Sequence, residues 1–156
     1  MAYHTGIILA AVLCGAAWLV RFDRERVFYP TMLIVVASYY VLFAALGGDN
    51  ASLLLESVLA TAFLGLAVAG FWTSLWLVVL ALAGHGIVDL LHPLFLPNDG
   101  VPAGWPAFCF TFDLVAALFL GVLLIKRADV AFHLPGTCKT AWVFMGKSAP
   151  DKNADE

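Results

Sequence analysis

Five apolar stretches alternate with short polar breaks along the first 130 residues. They run from Thr5 to Val20, Pro30 to Leu46, Ser52 to Ala69, Trp72 to Leu91, and from just after Trp105–Pro106 to Lys126–Arg127. At a rise of ~1.5 Å per residue, runs of this length cross a hydrocarbon core with little tilt. The pattern predicts an all-α membrane bundle of about five transmembrane helices. Residues 1–130 would form the transmembrane domain, and residues 131–156 a partly disordered tail. The breaks carry suitable chemistry: Gly47–Gly48–Asp49–Asn50 stops the second run, and His92–Pro93 is expected to close the fourth. At Ala69–Gly70–Phe71 the third and fourth runs either turn in a tight hairpin or form one long bent helix.

Charge fixes the expected orientation. Between Arg26 and Lys126 there are 99 consecutive residues without a Lys or Arg. Arg21, Arg24 and Arg26 occupy the first loop, whereas Lys126, Arg127, Lys139, Lys147 and Lys152 follow the fifth run. An odd number of crossings puts all eight basic residues on one side. The positive-inside rule then predicts an outside N-terminus and a cytoplasmic C-terminus, in a multi-pass protein of the cell inner (plasma) membrane. The first run lacks a basic n-region, so it reads as a retained helix and not a cleaved signal. Trp18, Tyr29 and Trp72 would anchor the inner boundary, and Trp105 the outer one.

Composition agrees, with 63% hydrophobic and 12% charged residues. The net charge of −3 says little, because the acidic groups are split between the bilayer region and the tail, but the missing basic patch excludes a nucleic-acid partner. Membrane lipid is the expected surrounding, and a homo-oligomer is compatible with so small a bundle. Cys14, Cys109 and Cys138 are too widely spaced for a metal-binding CxxC, and Cys14 and Cys109 read as small buried hydrophobes.

Ionisable side chains inside membrane helices are costly unless partnered, which makes each one a functional candidate. By helical rise, His85 and Asp89 lie about 20 and 26 Å from the start of the fourth run. Glu56 and Asp113 lie about 6 and 9 Å below the outer ends of the third and fifth. Glu56, His85, Asp89, His92 and Asp113 therefore share one layer in the outer half, near Tyr39 and Tyr40. His4 starts the first helix on that side, and His133 falls on the other. His85, Asp89 and His92 follow an i, i+4, i+7 spacing on one helical face. Gly84 and Gly86 flank His85 and allow close approach. Imidazole with carboxylate suits a divalent metal, zinc foremost, or iron or manganese with more oxygen ligands. The bland alternative is a set of mutual hydrogen bonds, with Asp113 bonded to Tyr39 or Tyr40 and Glu56 serving the helix dipole. Above this layer, the stiff loop Pro97–Asn98–Asp99–Gly100 would be either a lid supplying Asn98 and Asp99 or a rigid connector.

Ala83–Gly84–His85–Gly86, Asp89, His92, Asn98-x-Gly100–Val101–Pro102, Trp105–Pro106-x-Phe108–Cys109 and Asp113 resemble a signature of small bacterial polytopic membrane proteins classed as a domain of unknown function. That resemblance implies a membrane protein without a defined activity. A second resemblance is to the membrane hydrolases that include alkaline ceramidases, which bind zinc through intramembrane His and Asp. Those have seven helices and a further pair of close histidines, both missing here.

Together these features predict a membrane-embedded metal-binding protein in which His85, Asp89 and His92 are ligands. Asp113 and Glu56 would be the catalytic acid or base of a hydrolase acting on a lipid-like substrate at the outer leaflet. The other readings are a proton-linked transporter or channel using the same groups, and a non-catalytic subunit of a membrane complex.

Overall fold

The computed structural model describes residues 1–96 and 98–133, with no side-chain description at Arg24 or at 128–133. The tail expected at 131–156, with Cys138 and its three lysines, therefore lies outside the described residues except at its first turn, 131–133. Five helices cross the fold: α1 (Ala2–Leu19), α2 (Phe28–Gly47), α3 (Asn50–Trp72), α4 (Leu75–Phe95) and α5 (Trp105–His133). A short 3₁₀ turn, Phe22–Arg24, sits between α1 and α2. All five helices are long and apolar enough to span a membrane, α5 over Trp105–Arg127, and no strand occurs among the described residues. This is a multi-pass helical membrane protein. The chain divides at Val122, and all packing described below belongs to Met1–Val122.

Local chemistry explains the helix ends. Gly48, at φ 74°, ends α2 in the left-handed conformation that an L side chain resists. One residue later Asp49 caps α3, accepting from the Ala51 and Ser52 amides at 3.2 and 2.9 Å. The third and fourth runs are separate helices. Their break falls at Thr73–Ser74, slightly beyond Ala69–Gly70–Phe71, because Ser74 takes an extended conformation and caps α4 through the Trp76 amide. His92–Pro93 does not close α4, contrary to expectation. Pro93 lies inside the helix, which runs on to Phe95, and the Leu96 amide still reaches the His92 carbonyl at 2.9 Å.

Asp49 gives a pH-dependent prediction. The Ser52 hydroxyl, then the Ser52 and Ala51 amides, hold its carboxyl below the ordinary value of 3.8. A depressed folded-state pKa contributes stability above the ordinary value, and that contribution disappears as pH falls through the folded one. Thermal unfolding in detergent should show a midpoint difference between wild type and Asp49→Asn at neutral pH. The difference should shrink below about pH 4.

The core is built of small residues and a few large ones. Ala10, Cys14, Leu33, Val78, Leu82, Ala116 and Leu120 are buried, while most large apolar side chains of α1, α3 and α4 face outward. Outward apolar faces are what a lipid environment requires. Trp18 and Trp72 are exposed, as boundary anchors should be. Tyr29 is not an anchor: it is 1% exposed and packs inside beside Cys14.

Candidate metal site

The polar layer sits within the bundle, toward the end bearing the α4–α5 loop. Glu56, His85, Asp89, His92 and Asp113 are each buried, none more than 4% exposed. The i, i+4, i+7 face of α4 thus points inward along its whole length. Close approach of α5 completes the arrangement. A Cβ on Gly86 would stand 3.1 Å from the Phe110 carbonyl oxygen and 3.3 Å from the Asp113 Cβ, so only a residue without one lets α5 sit this near. Gly84 faces open space and plays no such part.

The five residues divide into two groups. His85 Nδ1 lies 2.7 Å from Asp113 Oδ2 and 3.2 Å from Asp89 Oδ2. One nitrogen of α4 is thereby shared between carboxylates of α4 and α5. The second group is His92 with Glu56 of α3, whose Nε2 and Oε1 are 2.6 Å apart. Asn98 Nδ2 donates to the same Glu56 oxygen at 3.1 Å and to the Tyr40 carbonyl at 3.4 Å. The loop is therefore tied down over the layer, and Asn98 Oδ1 accepts from the Gly100 amide at 3.2 Å. Asp99 is exposed, as is His4, and neither joins the buried layer.

Between the groups lies Tyr40, with its ring 4.3 Å from the His92 ring and 6.4 Å from that of His85. It is Asp89 that Tyr40 faces, and Phe63 of α3 packs edge-on against His85 at 4.7 Å. Tyr39 turns the other way, toward Trp105. Cys109, read as a plain apolar residue, lies beside Asp89 and Asp113. Its spacing of four before Asp113 on α5 is the signal that places both on one face.

Not every polar atom is satisfied. Asp113 Oδ1 and Glu56 Oε2 are buried without a hydrogen-bond partner, and Asp89 Oδ2 has only its 3.2 Å contact with His85 Nδ1. An unpaired buried carboxylate oxygen in an apolar surrounding is costly, so this set calls for a proton or a cation. His85, Asp89 and Asp113 each offer a ligand atom, and these atoms lie within 4.8 Å of one another. Ligand atoms around a tetrahedral zinc at ~2.0–2.2 Å lie roughly 3.3–3.6 Å apart, so the widest pair would have to close by about 1 Å to seat an ion. Space at the layer is slight. The cavity bounded by Tyr40, Glu56, Phe63, His85, Asp89 and His92 has a volume of about 10 Å³, room for a water or an ion. Comparison with protein-family models, curated proteins and solved structures finds no match to this chain.

Proposed function

We propose that this chain is a plasma-membrane protein that binds one divalent cation, zinc foremost, through His85, Asp89 and Asp113. The observation that carries the reading is the convergence of three ligand atoms beside a buried carboxylate oxygen, Asp113 Oδ1, that has no hydrogen-bond partner. Charge balance allows it. Two carboxylates and a divalent ion sum to zero, so such an ion is compatible with a low-dielectric layer, as is a doubly protonated His85–Asp89–Asp113 cluster. One nitrogen and two carboxylate oxygens suit zinc, manganese or ferrous iron, with zinc favoured by a small, closed site. His92, initially a candidate ligand, has Glu56 as its partner in this arrangement and would sit outside the ion's immediate ligands. The orientation with N-terminus outside and C-terminus inside belongs to this proposal, on the strength of the eight basic residues. So does the resemblance to small bacterial membrane proteins, since the stretch Gly84–Asp113 contains the three ligands.

The small cavity does not favour hydrolysis of a lipid-like ester, because no substrate atom beyond a single water fits beside His85. Elemental analysis of protein purified in mild detergent tests the proposal. About one metal per chain is expected for wild type and none for the His85→Ala, Asp89→Ala double variant. Metal-free wild type, or a double variant that keeps its metal, would overturn it.

A second reading has its own observation. His85–Asp113 and His92–Glu56 are two imidazole–carboxylate pairs with Tyr40 between them, an arrangement suited to passing protons. On that reading the purified protein is free of metal and carries a pH-dependent flux in liposomes, which Asp113→Asn abolishes.

A further inference from the structure

A second cavity, far larger, lies on the other side of α2 and Cys109. Its volume is about 600 Å³, within the ~300–1,000 Å³ range of small-molecule sites. Its walls come from α1, α2 and α5, and Thr31, Tyr39 and Trp105 are the lining residues with a polar side-chain group. The cavity exists because α1 and α2 do not pack on each other. Both reach the Phe22–Arg24 turn, and α1 is held instead to α5, where the Thr111 hydroxyl donates to the Tyr3 carbonyl at 3.0 Å.

Along α2 the lining runs from Phe28 to Tyr39, about 17 Å by helical rise, so the groove follows the membrane normal through one hydrocarbon leaflet and beyond. An apolar slot of that length matches an extended acyl chain. The end near Phe22 and Val27 has a distinct charge. Arg21 adjoins Phe22 and Arg26 adjoins Val27, and both arginines are exposed. Arg26 spends one donor on the Thr73 carbonyl at 3.4 Å. Of the two acidic residues in this loop, Asp23 is turned inward at 5% exposure, and Glu25 is exposed. The loop thus offers a net positive mouth at the depth of a lipid headgroup. Arginine is well suited to phosphate, which its planar fork binds through paired hydrogen bonds.

We infer that the groove between α1 and α2 is a binding site for one anionic phospholipid, with an acyl chain along α2 and the phosphate at Arg21 and Arg26. This inference rests on the membrane assignment and not on the metal. The site abuts the polar layer through Cys109, so its occupant would brace the wall of α5 that holds Asp113.

Native mass spectrometry of the full chain in a non-ionic detergent, with phosphatidylglycerol or phosphatidylcholine added, reads the binding directly. Wild type should retain one phosphatidylglycerol and prefer it at least about tenfold over phosphatidylcholine, each ~1.4 kcal/mol of headgroup contact giving a factor of ten. Arg21→Gln with Arg26→Gln should erase that preference while an acyl lipid is still retained. Met32→Trp and Leu9→Trp, on opposite walls, should each remove the bound lipid, whereas Leu54→Trp, on an outward face of α3, should not. No retained lipid in wild type would overturn the proposal. So would an undiminished preference in the arginine double variant, or a dimer that forms in place of the lipid-bound monomer.

Discussion

In metal-free protein Glu56→Ala should destabilise the bundle more than Asp113→Ala does, while of the two only Asp113→Ala should remove the proposed metal. The asymmetry follows from who is left without a partner. Asp113→Ala removes the shorter contact of His85, but Asp89 remains 3.2 Å away to take over. A cost of about 1–3 kcal/mol is expected, that of a single weakened buried hydrogen bond. Glu56→Ala deprives both His92 and Asn98 of the same acceptor, and Asn98 is what ties the α4–α5 loop to α3. Leaving two buried groups without their shared partner costs about 1–3 kcal/mol for each, so roughly double the loss at Asp113 is expected. Metal binding should run the other way. Asp113→Ala loses one ligand of three and should weaken affinity by more than about 100-fold, beyond the effect of an outer-sphere change. Glu56→Ala should leave metal stoichiometry unchanged. Metal content measured as purified, and unfolding midpoints measured after chelation, check both halves.

The second large effect is expected at Gly100. A Cβ there would overlap the Phe43 carbonyl of α2, which is backbone and has no room to give. Gly100→Ala should therefore lift the α4–α5 loop from α2, costing about 1–3 kcal/mol in line with other overpacking substitutions. Lifting the loop withdraws Asn98 from Glu56 and from the Tyr40 carbonyl, exposing the His92 pair to water. Faster amide exchange at Val101, whose N–H is bonded to the Asn98 carbonyl at 3.1 Å, should accompany the loss. Gly48→Ala makes a useful contrast. Its φ of 74° strains any replacement, but nothing lies within 4 Å of the new Cβ, so a smaller cost of about 1 kcal/mol is expected and the loop should stay in place.

The five helices were legible because length and apolarity are local properties, read without knowing any contact. Pro93 misled for the opposite reason. A proline removes one amide from the helix ladder, yet here the turn from His92 to Leu96 closes around it, and only tertiary context decides that. Within the layer, His85 and Asp89 could be paired from their spacing, and Asp113 and Glu56 could be placed at the right depth. Which carboxylate meets which histidine depends on the rotation of each helix about its axis. Helices that are apolar nearly all round carry no stripe to set that rotation. Hence His92 was grouped with His85 on one face, although the neighbouring helices divide that face between Asp113 and Glu56. Cys109 reads as a plain hydrophobe because a cysteine on an apolar helix carries no polarity of its own to mark its place beside Asp113.

The two-residue turn Thr73–Ser74 has a consequence for how the chain enters the bilayer. Glu56 and His92 are 36 positions apart, but the turn folds α3 and α4 back to back and brings them within 2.6 Å. A charged side chain costs up to ~2.5–3.5 kcal/mol on insertion at the helix centre and less toward the ends, where Glu56 and His92 lie. Carried in as one hairpin, the acid and the base cancel much of that penalty for each other before any other helix arrives. Asp113 has no such companion on α5 and meets His85 only when α5 packs against α4. Separating α3 from α4 by a long polar linker should therefore impair membrane integration of that pair, while α5, the most apolar of the five spans, should integrate without them.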